Sequence, residues 1–267
     1  MSDVTYEKRD RVAYVTLNRP ERRNAINSAM AVELVETFME IRSDEGVWVV
    51  IVTGAGDRAF CAGADLAPMS ESADRLEGAP AASETAQSKA TPGLDDLYRT
   101  ILRTNKPMIV AVNGIALAGG AGIALSCDLR IMSERASMGW PHGSLGVSSI
   151  SGPTLLAHLV PFNIALELEY YAEPISAERC LSLGIANAVV PHDRLMEEAE
   201  IAAARIQRSS PVSLSHIKAA TIEGLDLPLD ERLAVASKHY AETIRSEDAR
   251  EGLRAFLEKR DADWSGR

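Results

Sequence analysis

Two uninterrupted apolar runs constrain the fold of this 267-residue chain more than any other feature. They are "VWVVIVTG" (47–54) and "MIVAVN" (108–113), and neither alternates apolar with polar residues. Such a run suits a strand that is buried on both faces, as in a parallel sheet with packed layers on either side. The pattern therefore predicts an α/β architecture around a buried sheet.

The surrounding segments extend this pattern. Apolar residues recur with the period of an amphipathic helix over 28–42, and a second helix is predicted near 94–104. Helices dominate the sequence from about residue 152, and the last strand signal is at 186–191, so we predict an α/β core over 1–192 and a helical C-terminal region over 193–267. Further strands are predicted at 12–20, 129–133 and 186–191.

Charge and cysteine content exclude several classes of protein. The net charge of −10 argues against nucleic acid or an anionic membrane as the main partner. No run approaches the roughly 18 apolar residues of a membrane helix, and the N-terminus lacks a signal-peptide core. Cys61, Cys127 and Cys180 are widely spaced, which predicts free buried thiols and no metal site, with a nucleophilic Cys61 as the alternative. We therefore expect a cytoplasmic protein.

Two glycine-rich turns carry the functional signal. "AFCAGADL" (59–66) and "NGIALAGGAGIAL" (113–125) each leave a strand through small residues, and the second enters a helix at Gly119. The first turn of a helix presents backbone N–H groups without intrahelical partners, and small residues let a ligand approach them. Two such donors aimed at one oxygen form an oxyanion hole.

These turns and three further segments resemble the crotonase, or enoyl-CoA hydratase/isomerase, family. The further segments are "LNRPERRNAIN" (17–27), "ISAERCLSLGIANAVV" (175–190) and "EGLRAFLEKR" (251–260). The resemblance covers nearly the whole chain. It implies a spiral of ββα units with a helical C-terminal region that builds homotrimers or hexamers. It also implies an acyl-CoA thioester as ligand, with coenzyme A as part of the substrate and no separate cofactor.

The resemblance also assigns residues to roles. The N–H groups of Ala64 and Gly119 would hold the thioester oxygen and stabilise an enolate-like intermediate. Arg19, Arg22 and Arg23 could add positive charge for phosphates, although a solvated basic turn is an equal alternative. The implied contacts to coenzyme A come from one subunit and from the C-terminal tail of a neighbouring subunit: Arg23, Ala25, Ile26, Ala62, Ala64, Asp65 and Leu66 from the first, Phe256 and Lys259 from the second.

The chain departs from the family pattern at the acid–base positions. Hydratases of the family use two glutamates, and the resemblance places Gly122 and His142 at those positions. Hydration needs one group to deprotonate water and another to deliver a proton. Imidazole can replace one carboxylate but not two. The sequence therefore argues against a standard hydratase, and His142 is either an acid–base or substrate-binding group or a passive loop residue.

No aspartate or glutamate lies between Ser137 and Pro161 to supply the missing acid. Glu71, Asp74 and Glu77 are the alternatives, in a stretch over 67–93 that shows little periodicity and is expected to run over the surface.

The acyl pocket is predicted at Gly122, Trp140 and Ser149. The serines of "VSSISGPT" (147–154) either bind a polar acyl group or cap the helix that Pro153 starts.

Several other functions can be compared with the sequence. "TGAGDRAF" (53–60) fits a variant dinucleotide fingerprint, but no helix follows it directly, so dinucleotide binding is not supported. A glycine at position 122 is similar to the aryl-CoA dehalogenase branch, whose nucleophilic aspartate would fall near Ile150 here. The open alternatives to an enolate-stabilising enzyme are a non-catalytic acyl-CoA-binding homologue and a hydrolase or decarboxylase that uses His142.

Overall fold

The computed structural model describes residues 2–65 and 92–267. Within them ten strands form two sheets. In chain order the strands are β1 (Val4–Arg9), β2 (Val12–Leu17), β3 (Val49–Gly54), β4 (Ala59–Cys61), β5 (Met108–Val112), β6 (Ile115–Leu117), β7 (Leu129–Ser133), β8 (Ser137–Gly139), β9 (Ile175–Ser176) and β10 (Ala188–Val190).

The larger sheet has six strands in the order β1-β2-β3-β5-β7-β10. Its pairings are parallel except for β1 with β2, and the register places Ile51 opposite Ile109. The smaller sheet has the order β4-β6-β8-β9. Three times the chain therefore places one strand in the larger sheet and the next in the smaller one, which is the ββα repeat that the family resemblance implied.

The helices lie around and beyond these sheets. Asn27 caps the first one, since its side chain accepts a hydrogen bond from the N–H of Met30 at 2.7 Å. No helix of the described residues is long and apolar enough to cross a membrane. The main helices are α1 (Ser28–Ser43), α2 (Leu94–Arg103), α3 (Gly119–Ser126), α4 (Phe162–Tyr171), α5 (Ala177–Ser182), α6 (Leu195–Ile206), α7 (Pro211–Gly224), α8 (Leu229–Thr243) and α9 (Glu247–Glu258).

The larger sheet carries apolar clusters on both faces. Val50 and Val52 point into a cluster with residues of α1, α2 and α3, whereas Ile51 points to the opposite face. There α6 covers the sheet with Ala199 and Ala203. This arrangement explains the uninterrupted apolar run of β3, because both sets of alternating side chains are buried. The predicted α/β fold with a helical C-terminal region is confirmed.

The predicted division at residue 193 stays a prediction, although α6, the first helix after it, packs against the larger sheet. The three cysteines are free and buried, as predicted.

Candidate active site

Two backbone segments meet where β4 ends. Ala62 donates its N–H to the carbonyl of Arg23 at 3.0 Å, and Ile26 donates to the carbonyl of Gly63 at 2.8 Å. Ile26 and Ala64 thereby form an isolated parallel bridge. The segment over 23–26 thus runs beside 62–65, and this pairing holds the first glycine-rich turn in place.

The second glycine-rich turn packs directly on the first. A Cβ atom on Gly63 would lie 2.9 Å from the Cβ of Ala118, and one on Gly120 would lie 2.2 Å from the carbonyl oxygen of Cys61. Gly63 also has a φ of +97°, which favours glycine. Ala118 has a φ of +49° just before α3, a conformation that costs about 1–3 kcal/mol in a residue with a side chain. Close packing and local strain therefore define the start of α3.

Ala64 and Gly119 border the same cavity of about 380 Å³. Within the described residues, neither backbone N–H donates a hydrogen bond. Gly119 is the first residue of α3, where N–H groups have no intrahelical acceptor and the helix dipole is positive. The other lining residues of the cavity are Ala62, Leu94, Tyr98, Leu117, Ala118, Pro141, His142, Leu145, Val147, Ser148, Ile150 and Ser151.

Tyr98 of α2 lies against Gly122 of α3. A Cβ atom on Gly122 would be 2.3 Å from both Cζ and Oη of Tyr98, closer than real Cβ contacts allow. The ring is 5% exposed and lines the cavity. The space that a side chain at position 122 would need is therefore filled from another helix, with a hydroxyl group at its tip.

Polar groups lie near this hydroxyl. Trp140 donates from Nε1 to the Oγ of Ser151 at 3.2 Å, and the Ser151 hydroxyl partly offsets the effect of burial on the pKa of Tyr98. Tyr98 donates to the carbonyl of Gly119 at 3.3 Å, a long and weak contact. Burial raises the pKa of Tyr98 well above its usual value. Tyr98 is therefore a protonated donor at neutral pH.

His142 lines the cavity from the loop after β8. Its carbonyl accepts the N–H groups of Leu145 and Val147, which fixes the loop. Its Nδ1 is buried and has no hydrogen-bond partner among the described residues. Burial lowers the pKa of His142, so the neutral imidazole prevails at pH 7.

Comparison with known proteins identifies relatives of this chain. The family model described as enoyl-CoA hydratase/isomerase matches residues 7–267. The chain belongs to this family. The residues that match the family model include both sheets, the residues around the cavity and the C-terminal helices.

Individual members of the enoyl-CoA hydratase/isomerase family match over nearly the full length. The short-chain-enoyl-CoA hydratase of Clostridium acetobutylicum is 37% identical, covering 97% of this chain and 96% of the relative. The carnitinyl-CoA dehydratase of Proteus mirabilis is 37% identical, with 97% of each chain covered. A crystal structure of enoyl-CoA hydratase from Mycobacterium tuberculosis H37Rv has a TM-score of 0.88 at 30% identity, covering 100% of both chains.

The predicted acyl-pocket residues do not border the cavity. Gly122, Trp140 and Ser149 are absent from its lining, and their contact with an acyl group stays a prediction. The ring of Tyr98 covers Gly122, and Trp140 is fully buried with its Nε1 bound to Ser151. Ser149 accepts the N–H of Gly152 at 3.0 Å, which is the capping role given as an alternative.

A carboxylate that sequence analysis missed, Glu169, packs against Gly152. A Cβ atom on Gly152 would lie 1.0 Å from Oε1 of Glu169, and the hydroxyl of Ser149 partly offsets the effect of burial on the pKa of this carboxyl group. Oε1 is buried without a hydrogen-bond partner among the described residues, and burial raises the pKa of Glu169. Glu169 does not line the cavity, so it supports the loop from behind.

The residues predicted to contact coenzyme A fall into two groups. Ala62 and Ala64 line the cavity, and Arg23, Ala25, Ile26 and Asp65 adjoin them through the backbone pairing. Arg19 instead bonds within the protein, with its Nη2 3.6 Å from Asp65 and its Nε 3.4 Å from Asp3. Arg22 and Arg23 are exposed.

The remaining predicted contacts are not brought to the cavity in a single chain. Phe256 is 81% exposed on α9, and Lys259 ends that helix. Their predicted contact to a neighbouring subunit stays a prediction. Leu66 and the alternative acids Glu71, Asp74 and Glu77 lie outside the described residues.

Proposed function

We propose that this chain binds an acyl-CoA thioester in the cavity and stabilises an enolate on its carbonyl oxygen. The proposal depends on one observation: the N–H groups of Ala64 and Gly119 border one cavity and make no hydrogen bond to the described residues. Preorganised donors of this kind stabilise developing charge, and losing one costs roughly 100- to 1000-fold in rate. The relatives named above, which act on CoA thioesters, support the same substrate class.

His142 and Tyr98 form the proposed acid–base pair. Their environments shift the two pKa values apart, so before the reaction the imidazole is free to accept a proton and the phenol carries one that it can donate. His142 removes a proton from the carbon next to the thioester, and the electron pair moves to the thioester oxygen. Tyr98 gives a proton to the substrate from the Gly122 side, and solvent then takes the proton from the His142 imidazolium and reprotonates the Tyr98 phenolate, which restores both groups. Neither group is charged at neutral pH, which distinguishes this site from one with two carboxylates.

Exchange of substrate protons with solvent tests this step without knowledge of the acyl group. Butyryl-CoA is incubated with protein in D₂O, and deuterium at the α-carbon is measured by mass spectrometry. We expect exchange above the uncatalysed rate, and a loss of at least about 100-fold in His142→Gln, the usual contribution of a general base. His158→Gln is the matched control, because His158 is exposed and outside this cavity.

A non-catalytic acyl-CoA-binding protein is the second candidate. The observation that favours it is the lack of any described group to orient the His142 ring. Calorimetric binding of butyryl-CoA without exchange would support this candidate. Absence of binding by every acyl-CoA at millimolar concentration would contradict both functions.

A panel of thioesters, followed for loss of thioester, alkene or carboxylate, tests the hydrolase and decarboxylase alternatives.

Poor hydration of crotonyl-CoA is part of the same proposal, because no carboxylate lines the described cavity. Turnover of crotonyl-CoA that His142→Gln leaves unchanged would contradict the proposed mechanism.

A homotrimer or hexamer is the proposed assembly. Large apolar side chains are exposed on the C-terminal helices, and monomeric proteins rarely expose large contiguous apolar patches. Light scattering with size-exclusion chromatography should give three or six chains; a monomer would contradict the proposal. These side chains include Leu229, Leu233, Tyr240, Leu253, Phe256 and Leu257.

A further inference from the structure

We infer that His216, His239 and Glu242 form a binding site for a divalent transition metal of the Zn²⁺ type between α7 and α8. The Nδ1 atoms of the two histidines are 2.9 Å apart, and Oε2 of Glu242 is 3.5 Å from Nδ1 of His216. One ligand atom from each of the three residues lies within 4.8 Å of the others. The site is remote from the candidate active site and shares no lining residue with its cavity.

The separations of these atoms can be compared with those in a tetrahedral zinc site. With Zn–N and Zn–O distances of about 2.0–2.2 Å, neighbouring ligand atoms are separated by about 3.3–3.5 Å. The separation of 3.5 Å lies at the upper end of this range, whereas the 2.9 Å between the two Nδ1 atoms is shorter, so the imidazoles would move slightly apart around the ion. Two neutral imidazoles facing each other through Nδ1 need a shared hydrogen or a cation between them, and a cation also satisfies the facing carboxylate. Imidazole and carboxylate ligands suit Zn²⁺ better than Mg²⁺ or Ca²⁺.

A fourth residue, Glu223, lies on the far side of the His239 ring from the proposed metal. Nε2 of His239 is 3.3 Å from Oε2 of Glu223. Metal-binding histidines usually donate their second ring N–H to such an acceptor, which fixes the tautomer that leaves the other nitrogen free for the metal. Glu223 is thus a positioning residue, and Nδ1 of His239 is the ligand atom.

The helices bring these residues together by their spacing. His216 and Glu223 are seven residues apart on one face of α7, and His239 and Glu242 are three residues apart on α8. Only four residues connect the two helices. His239 is the one residue of α8 that is buried in the described chain. A metal ion here would therefore link a helix that has little buried apolar surface of its own to its neighbour.

The remaining coordination position faces open space. His216 and His239 line a cavity of about 600 Å³ between the C-terminal helices, where Thr243 and Asp248 also lie. Water can therefore serve as the fourth ligand. The site is expected to stabilise the hairpin, with no part in the chemistry at His142.

Calorimetric titration of the full chain with ZnCl₂, after dialysis against a chelator, tests the site. We expect saturable binding at one ion per chain and a higher melting temperature with Zn²⁺. His216→Ala and Glu242→Gln should weaken binding at least 100-fold, and Glu223→Gln about 10- to 100-fold. His216 is half-buried and Glu242 exposed, so both variants should fold. His158→Ala, which removes an exposed histidine elsewhere, should bind as the wild type does.

Substitution with Co²⁺ adds a spectroscopic measurement, because a tetrahedral site with nitrogen ligands gives visible absorption bands much stronger than those of the octahedral aqua ion. Loss of these bands in His216→Ala would support direct ligation. Two results would overturn the inference: no saturable Zn²⁺ binding at micromolar concentration, which would leave a shared proton between the histidines, or equal binding by the wild type, His216→Ala and Glu242→Gln.

Discussion

The phenol ring of Tyr98 occupies the space that any side chain at position 122 would need. Even a methyl group on Gly122 would lie 2.3 Å from the Tyr98 hydroxyl. The two residues belong to different helices, α2 and α3, and their sizes are complementary. The glycine leaves space for the ring, and the ring fills the buried space beside the glycine.

Gly122→Ala should therefore destabilise the protein. Overpacking of a buried site typically costs about 1–3 kcal/mol, because the ring must move or the helices must separate. Urea unfolding followed by circular dichroism measures the change. Gly143→Ala is the matched control, since the nearest atom to its Cβ is 3.4 Å away.

A double variant tests whether the cost comes from this contact. In a Tyr98→Ala background the added cost of Gly122→Ala should vanish, although Tyr98→Ala is itself destabilising through the cavity it leaves. An equal cost of Gly122→Ala in both backgrounds would contradict the steric account.

Tyr98→Phe should separate the hydroxyl from the ring. The ring still fills the space beside Gly122, so the folded state and butyryl-CoA affinity should change little. The α-proton exchange rate should fall by about 100-fold or more, as expected for loss of a proton donor. Tyr14→Phe, which removes a hydroxyl bonded to Glu200, is the control. Unchanged exchange in Tyr98→Phe would exclude Tyr98 as the donor and leave the role of His142 intact.

The pH dependence of exchange should follow His142. Burial lowers its pKa, so the proton-accepting imidazole persists below the ordinary histidine value of about 6.5 and is lost only at more acidic pH. Between pH 4.5 and 8, the exchange rate should be constant near neutral pH and should decrease only below the ordinary histidine pKa of about 6.5. A half-maximal rate above pH 6.5 would contradict a desolvated base. His158→Gln should give the wild-type profile.

Glu169→Gln should raise the free energy of unfolding at pH 7. The folded state raises the pKa of Glu169, so stability is greater while both states are protonated and falls as pH rises through the folded-state pKa. Glutamine has nearly the same shape as glutamate but does not ionise, so the decrease in stability with rising pH should disappear. Thermal unfolding between pH 4 and 8 measures the difference, which should shrink at acidic pH. Glu173→Gln, an exposed change just after α4, should have no such effect.

The long elements of the fold were predictable because each carries its own pattern. The predicted strand at 129–133 matches β7, and the predicted helix at 28–42 differs from α1 by one residue. The smaller sheet was not predicted, since β4, β6, β8 and β9 have only two or three residues each. Such segments are too short to show a period of two, and their pairing depends on the neighbouring turns.

The candidate site was predictable only where a motif marks it. Ala64, Gly119 and His142 follow from the glycine-rich turns and the loop after β8. Tyr98 was missed because it lies 24 residues before Gly122 and fits the apolar face of α2. One signal was available: a buried glycine in a helix interior requires another residue to fill its space. Glu169 and the two histidines of the C-terminal hairpin gave no such signal, because only the fold brings them together.

The contact between Tyr98 and Gly122 also limits how this site can change over generations. Replacing Gly122 by glutamate alone would force a side chain into the ring, and removing Tyr98 alone would leave a void beside a bare helix. Each single step passes through a less stable protein, so a carboxylate at this position requires two changes together. Packing therefore opposes the introduction of an acid at position 122 by one substitution at a time.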